Sequence, residues 1–304
     1  MTTPATPPSP QAPQTPYQQP HQPPAHAQAQ AQQNWQGGGP VGQYASPIPV
    51  RSPGLGDAIA SEWTKIRSVR STMWTLGVMI VLLLGIGLLS AFAVSASDAD
   101  LGDTPVLSLG FFGVLLGSIC VITLGVLTIA SEYGTGMIRT TLTACPSRAR
   151  VLIAKSIVFF LLSFTITTVT TGIVGVLQTA MLDGGTPSGS DWLRATVGVG
   201  LYIATLGLLS LALGALIRHS AGAITIMIAV VLLPLVLAMF MFSETLADLQ
   251  KALFEYSIPS QLSAFYGESM TSSGPTGWDP LWIILGVTAV AMAGAFASLD
   301  RRDV

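Results

Sequence analysis

The chain has 304 residues, of which half are hydrophobic and only 9% are charged, and its formal net charge is −2. Six long apolar runs leave little length for a soluble catalytic domain, and the basic residues are better explained by membrane topology than by nucleic-acid binding. The two cysteines, one in an apolar run and one in a polar loop, indicate neither a disulfide framework nor a metal site.

The first segment, residues 1–53, is almost free of charge. Residues 1–50 contain no Asp, Glu, Lys or Arg and are rich in Pro, Gln and Ala. Such a composition cannot bury enough apolar surface to offset its ordering entropy, which predicts a disordered cytoplasmic tail. Its Pro-Pro pairs also suit an aromatic-groove binding domain, so an inert tail and a partner-binding tail both stay open.

An amphipathic helix is predicted over residues 54–73. Apolar side chains recur there every three or four residues, at Leu55, Ile59, Trp63, Ile66, Val69 and Met73. Polar and charged side chains occupy the rest of the helix, at Asp57, Ser61, Glu62, Lys65, Ser68 and Arg70. This pattern is typical of a helix that lies in the membrane interface. It serves either to anchor the first span in the membrane or to act as a lever that contacts a cytoplasmic partner.

Six apolar runs follow within residues 74–304, near Trp74–Ala96, Pro105–Ala130, Val151–Ala180, Leu193–Ile217, Gly222–Phe242 and Leu281–Ser298. Each approaches or exceeds the roughly 20 residues that cross about 30 Å of hydrocarbon as a helix. We therefore expect an all-α polytopic membrane protein with six transmembrane helices. Lys155 and Arg194 are expected only at helix ends, and no carboxylate is expected within a span.

The distribution of basic residues predicts the orientation. With six spans, eleven Lys and Arg residues fall on one side and two, Arg194 and Lys251, fall on the other. The positive-inside rule then places both termini in the cytoplasm.

The loop at residues 131–150 is the most distinctive polar segment. The chain is expected to leave the bilayer at Ser131-Glu132 and to turn through Gly134 and Gly136. A short helix is expected at Met137–Ala144, and Pro146 ends it. The short helix carries an apolar patch of Met137, Ile138 and Leu142 with basic residues nearby. It is either suited to docking into a groove of a soluble protein or an ordinary solvated loop.

The spans offer few groups for chemistry. Coupled proton or sodium transport usually needs an ionisable group in the membrane, and the chain has no G-x-x-x-x-G-K-[ST] phosphate loop. Energy is therefore expected from outside the chain. Gly113 and Gly117 predict close helix packing. Thr167 and Thr171 belong to a hydroxyl-rich stretch and are assigned to a translocation pathway; the alternative is that these hydroxyls bond to their own helix. Pro234 is assigned to a gate, and the alternative is a static kink.

The order of short motifs resembles the permease subunits of ATP-binding-cassette (ABC) transporters of the type-2 exporter class. The resemblance covers about residues 57–302 and leaves the tail unmatched. The matching residues are Glu62-Trp63-x-Lys65-x-Arg67-x-x-Arg70-Ser71, then Glu132-Tyr133-x-x-Gly136-x-Ile138-Arg139-x-Thr141-Leu142, Pro146-x-Arg148, Lys155 and Leu213-Gly214-Ala215-Leu216-Ile217-Arg218.

The resemblance implies roles for these residues. The helix at 54–73, with Glu62, Trp63, Lys65, Arg67 and Arg70, would be a connecting helix. The loop at 131–150 would be the coupling segment for an ATPase subunit, through Glu132, Tyr133, Gly136, Ile138, Arg139, Leu142, Pro146 and Arg148. Glu132 and Arg139 would dock or brace its short helix. The outer loop, 243–279, would dip into the membrane or lie at its surface.

The resemblance also implies a function. The chain would be the permease subunit of an ATP-driven exporter of an amphiphilic or apolar compound, without catalytic residues of its own and without a metal. It would bind no cofactor; ATP and Mg would bind separate ATPase subunits. It would pair with a second permease copy, or a similar permease, in the lipid bilayer of a bacterial plasma membrane. A secondary carrier or channel without an ATPase, and a non-transporting scaffold, are the alternatives.

Overall fold

A computed structural model describes residues 54–97, 102, 104–182, 185–268 and 273–301, and for Asp300 the backbone alone. The predicted tail at 1–53 lies outside the described residues. Helices dominate the described part of the chain, which contains no β-strand.

Eleven α-helices are assigned in the described residues. They are α1 (Leu55–Ser68), α2 (Arg70–Ala96), α3 (Phe111–Thr135), α4 (Met137–Ala144), α5 (Arg148–Met181), α6 (Gly189–Leu193), α7 (Val199–Ile217), α8 (Ser220–Phe240), α9 (Ala247–Glu255), α10 (Ile258–Ala264) and α11 (Asp279–Arg301). A 3₁₀ turn at Val106–Gly110 leads into α3, and another at Glu244–Leu246 precedes α9. A widened turn at Arg194–Gly198 joins α6 to α7.

Six of these segments are long and apolar enough to cross a membrane, which confirms the predicted number of spans. They are Arg70–Ala96, Val106–Thr135, Arg148–Met181, Gly189–Ile217, Ser220–Phe240 and Asp279–Leu299. The chain is a multi-pass, all-α membrane protein. We call the end of the bundle where α3 ends and α5 begins the α4 end, and the opposite end the α9 end.

Helix α7 forms the centre of the bundle and packs against α3, α5, α8 and α11. Its approach to α3 depends on glycine. A Cβ added at Gly125 of α3 would lie 2.5 Å from the carbonyl oxygen of Gly207, and one added at Gly207 would lie 2.5 Å from the Phe159 ring. Side chains at these positions would push the helices apart, so the glycines allow close backbone packing.

The predicted G-x-x-x-G pair has the packing role expected of it. A Cβ at Gly113 would lie 3.0 Å from the carbonyl oxygen of Leu83 in α2, and one at Gly117 would lie 3.3 Å from the Leu83 side chain. Helices α2 and α3 are therefore held in close contact by small residues.

Helices α1 and α2 are separate elements rather than one continuous helix over 54–73. Val69 has an extended backbone (φ −84°, ψ 110°) between Ser68 and Arg70. The chain therefore bends at Val69, and we call this bend the elbow. Helix α1 packs against α5 and, near the elbow, against α2.

Candidate functional site

Four charged side chains meet at the α4 end of the bundle. Glu62 and Lys65 project from α1, Glu132 from the last turn of α3, and Lys155 from the second turn of α5. We call these four residues the charge cluster. Their elements are distant in sequence, so the cluster exists only because α1 packs across the ends of α3 and α5.

Each lysine of the cluster bridges both glutamates. Lys155 Nζ lies 2.8 Å from Glu62 Oε2 and 2.6 Å from Glu132 Oε1. Lys65 Nζ lies 2.9 Å from Glu62 Oε1 and 2.8 Å from Glu132 Oε1. The two positive and two negative charges cancel, and every cation contacts two anions.

Burial makes this pairing energetically necessary. The side chain of Lys155 is 1% exposed, those of Glu62 and Glu132 are 7% exposed, and that of Lys65 is 29% exposed. Removing charges from water costs several kcal/mol per ion, which only close, multiply hydrogen-bonded pairing offsets. Replacing one member would leave an uncompensated buried charge, so the four residues act as one unit.

The pKa of Lys65 reflects this environment. Burial alone would lower its pKa, but the hydrogen bonds to Glu132 and Glu62 and their negative charges outweigh burial and raise it above the ordinary 10.5. Lys65 is therefore a cation at neutral pH.

The cluster also reaches α4. Thr141 Oγ1 lies 3.4 Å from Lys65 Nζ and 3.5 Å from Glu132 Oε2. Gly136, with φ +73°, makes the turn from α3 into α4, a conformation that favours glycine. The structure thus joins α1, α3, α4 and α5 through one group of charges and a single hydroxyl.

Helix α4 spans Met137–Ala144, as predicted, and Ser147 caps α5 by accepting a hydrogen bond from the backbone N–H of Arg150. The predicted apolar docking patch is only partly available, because Ile138 is 4% exposed and packs inside the chain. Met137 and Arg139 are exposed. Ile138 therefore anchors α4, while Met137 and Arg139 remain accessible to a partner.

A cleft of about 300 Å³ separates α1 from α4. Asp57 and Ser61 line it from α1, Thr140 and Thr141 from α4, and Lys65 of the charge cluster also borders it. A side chain of a partner protein that enters this cleft would therefore contact the charge cluster.

The family comparison agrees with this architecture. A family model described as "ABC-2 family transporter protein" matches residues 58–242, which is more than half of the chain. The chain belongs to the ABC-2 transporter family. The matched region begins in α1, continues through α8 and includes the whole charge cluster. No curated protein matches the chain.

As an ABC-2 permease, the chain is the membrane-spanning component of an ABC transporter, and its family implies association with an ATP-binding subunit. This assignment confirms the resemblance drawn from the Glu62 and Glu132 motifs. The family match extends neither to the transported compound nor to the number of permease copies.

The burial of the charged residues was not predicted from the sequence. Glu62 was expected among the polar residues of α1 that lie away from its membrane-facing apolar side, but the structure buries Glu62 inside the protein. Leu55 and Trp63 are 41% and 45% exposed, as a helix with its apolar side towards lipid requires. Lys155, in the second turn of α5, and Glu132, in the last turn of α3, lie near helix ends as expected, but the sequence did not predict that both are buried. Amphipathicity identifies an apolar face but cannot detect that a charge is buried against opposite charges.

The structure separates some predicted coupling residues from the cluster. Arg148 Nη1 donates a hydrogen bond to the Leu299 carbonyl oxygen at 2.6 Å and so connects α5 to α11. The Arg218 guanidinium lies 4.9 Å from the centre of the Tyr133 ring. Leu142 is half-buried, and Pro146 is exposed.

The remaining predicted site residues lie elsewhere. Arg67 and Arg70 are exposed at the elbow. Thr167 and Thr171 lie on the buried face of α5, at 0% and 7% exposure, and Pro234 lies inside α8. Their assignment to a pathway or gate stays a prediction. Sequence reasoning left Lys155 out of the site, although a single lysine in a long apolar helix was the signal that could have found it.

Proposed function

We propose that this ABC-2 permease exports an amphiphilic or apolar compound and takes its energy from separate ATPase subunits that dock against α4 and α1. The ATPase subunits bind ATP and Mg, and their movement is transmitted to the spans. The charge cluster is the observation that supports this proposal most directly, because it connects both docking elements to α3 and α5.

The proposed mechanism follows from the contacts. An ATPase subunit that displaces α4 pulls on Gly136 and Glu132, because α4 continues directly from α3. Since Lys155 and Lys65 each contact Glu132 and Glu62, the displacement is shared by α5 and α1 rather than absorbed in a loop. Buried ion pairs resist separation, so the four elements move together.

The proposed orientation places the α4 end in the cytoplasm of a bacterial plasma membrane. Eleven of the thirteen Lys and Arg residues belong to segments on that side of the six spans. ATPase subunits use cytoplasmic ATP, so the same orientation brings α1 and α4 within their reach. Both termini are then cytoplasmic.

A second permease copy completes the proposed transporter. Helix α2 exposes large apolar side chains, among them Trp74 at 75%, Val81 at 67% and Phe92 at 60%. Lipid or a second copy can cover this face, and a path between two copies would use it. The transported compound is proposed to be apolar or amphiphilic, because the charged side chains of the cluster are paired with one another and are not needed to bind an ion. Arg194 is likewise paired with Asp191, at 2.6 Å.

Affinity purification of the full tagged chain in mild detergent tests the proposal. A nucleotide-binding subunit should copurify, and the complex should hydrolyse ATP. Arg139→Ala, on the exposed face of α4, should weaken this association, whereas Lys251→Ala on α9, with a side chain 56% exposed, should not. Equal association of both variants would contradict docking at α4.

Transport measured in reconstituted vesicles distinguishes the transmission of motion to the spans from the docking of the ATPase subunit. Glu132→Gln should still bind the ATPase subunit but should reduce ATP-dependent transport on the order of tenfold or more, about 1.4 kcal/mol of coupling. Uphill transport by the permease alone would indicate a secondary carrier. A well-folded complex without any transport would indicate a scaffold.

A further inference from the structure

A second cleft borders the charge cluster on the side of the elbow. It has a volume of about 250 Å³ and lies among α1, α2, α3 and α5. All four charges of the cluster contribute to its lining. It is distinct from the cleft between α1 and α4, although Glu62, Lys65 and Met137 border both.

The lining of this elbow cleft has two chemical parts. Leu124, Leu127, Phe159 and Leu162 form an apolar wall from α3 and α5. Hydroxyl groups accompany the charges, contributed by Ser71, Thr72, Thr75, Thr128 and Ser131. A charged and hydroxylated region beside an apolar wall is suited to an amphiphile.

The elbow cleft lies at the level expected for lipid headgroups. Trp63 on α1 and Trp74 on α2 are 45% and 75% exposed on either side of the elbow, and tryptophan is enriched at membrane interfaces. Val69 and Ser71, which line the cleft, are exposed. The cleft is therefore open to the surface where the bilayer interface meets the protein.

The charges indicate the kind of headgroup. The four lining charges sum to zero, so a headgroup with net charge would add an uncompensated charge in a partly buried site. A zwitterion instead offers an anion to Lys65, which is 29% exposed, and a cation to Glu132. Both lysines contact Oε1 of Glu132, whereas Oε2 accepts a long hydrogen bond of 3.5 Å from Thr141 Oγ1, so Oε2 is the oxygen that we assign to the ammonium group.

We propose that the elbow cleft binds one zwitterionic phospholipid from the leaflet at the α4 end. Its phosphate contacts Lys65, and its ammonium donates to Glu132 and to the oxygens of hydroxyls whose own protons bond to the helix backbone, as those of Thr128 and Ser131 do. An acyl chain lies along Leu124, Phe159 and Leu162. The site does not depend on the proposed coupling to an ATPase.

Native mass spectrometry of the full chain tests the proposal. The protein is released from nanodiscs that contain equal amounts of phosphatidylethanolamine, which is zwitterionic, and phosphatidylglycerol, which is anionic. One phosphatidylethanolamine per protomer should persist under detergent conditions that remove the surrounding lipid. Thr128→Trp fills the cleft from α3 and should lower this retention on the order of tenfold.

Two further variants keep the result interpretable. Thr75→Trp fills the same cleft from α2 and should have the same effect if Thr128→Trp fails to fold. Val81→Trp adds the same side chain on the exposed face of α2, at a position 67% exposed, and should retain the lipid. If all variants retain the same amount of lipid, the retained molecule belongs to the surrounding bilayer and not to the elbow cleft. If the protein retains phosphatidylglycerol in preference to phosphatidylethanolamine, the proposal of a zwitterionic ligand is wrong. Loss of self-association in Thr128→Trp without a change in lipid would assign the cleft to a second copy.

Discussion

The Nζ atom of Lys155 lies 2.6 Å from Oε1 of Glu132, although 23 residues separate the two along the chain. Between them the chain leaves α3, forms α4 and begins α5. The contact therefore closes a loop that contains the whole of α4, and it does so at a site where Lys155 is 1% exposed. A change at either residue should alter both stability and the position of α4.

Lys155→Met should lower the free energy of unfolding by about 3–5 kcal/mol, because it leaves two buried carboxylates facing a single lysine. Thermal or denaturant unfolding in detergent measures this effect. Lys251→Met is the matched control, since Lys251 is 56% exposed and lies 3.9 Å from Glu255. Such an exposed pair should contribute less than about 1 kcal/mol.

A double-mutant cycle measures the interaction energy between Lys155 and Glu132. If Lys155 and Glu132 interact as observed, Lys155→Met combined with Glu132→Gln should cost less than the sum of the two single changes. Strictly additive losses would show that the contact contributes little.

Gly136→Ala should destabilise the turn between α3 and α4. Gly136 has φ +73°, where a Cβ costs roughly 1–2 kcal/mol. Gly134→Ala is the control, because Gly134 lies within α3, has no positive φ and would place its Cβ in open space. Alanine there should leave stability unchanged or raise it by up to about 1 kcal/mol. Unfolding measurements should show a loss of stability in Gly136→Ala and none in Gly134→Ala, and a loss of similar size in both would contradict the structure.

The sequence allowed α4 to be predicted residue by residue because its signals are local. Gly136 and Pro146 mark the ends of the short segment, and the lengths of the apolar runs give the six spans without any tertiary information. The sequence could not decide whether α1 anchors the first span or transmits motion from a cytoplasmic partner, because that role is not encoded by local signals. It depends on contacts between Glu62 and Lys155, which are 93 residues apart in the chain.

The burial of Glu62 also could not be read from periodicity. A hydrophobic pattern assumes that charged residues face water, and that assumption fails where opposite charges from three helices converge. The Glu62 and Glu132 motifs carried the resemblance to ABC permeases, but only the packing of α1 across α3 and α5 explains why these residue types occur there.

Gly125→Ala should disturb the packing of α3 against α7. The added Cβ would lie 2.5 Å from the carbonyl oxygen of Gly207, a backbone atom that cannot move without moving the helix. Overpacking of this kind typically costs about 1–3 kcal/mol. Gly77→Ala in α2 places its Cβ in open space and should not destabilise the protein. Unfolding of the two variants in the same detergent provides the comparison, and a stable Gly125→Ala protein would mean that α3 and α7 are further apart than described.

The contribution of Lys65 to stability should persist through neutral pH and disappear only under strongly alkaline conditions. Its pKa in the folded protein is raised above 10.5, mainly because hydrogen bonds to Glu132 and Glu62 outweigh the effect of burial. A group with a raised folded pKa stabilises fully below its unfolded pKa, about 10.4 for lysine, and loses that stabilisation as the pH rises through the folded pKa.

The difference in melting temperature between the wild type and Lys65→Met, followed against pH, measures this contribution. The difference should stay constant from neutral pH to about pH 9 and should shrink above about pH 10.5, where the lysine of the unfolded chain loses its proton while the folded one still holds it. Lys251→Met provides the control series, since Lys251 lies outside the cluster. A difference that already declines near pH 8 would mean that burial, rather than pairing with Glu132 and Glu62, dominates the pKa of Lys65.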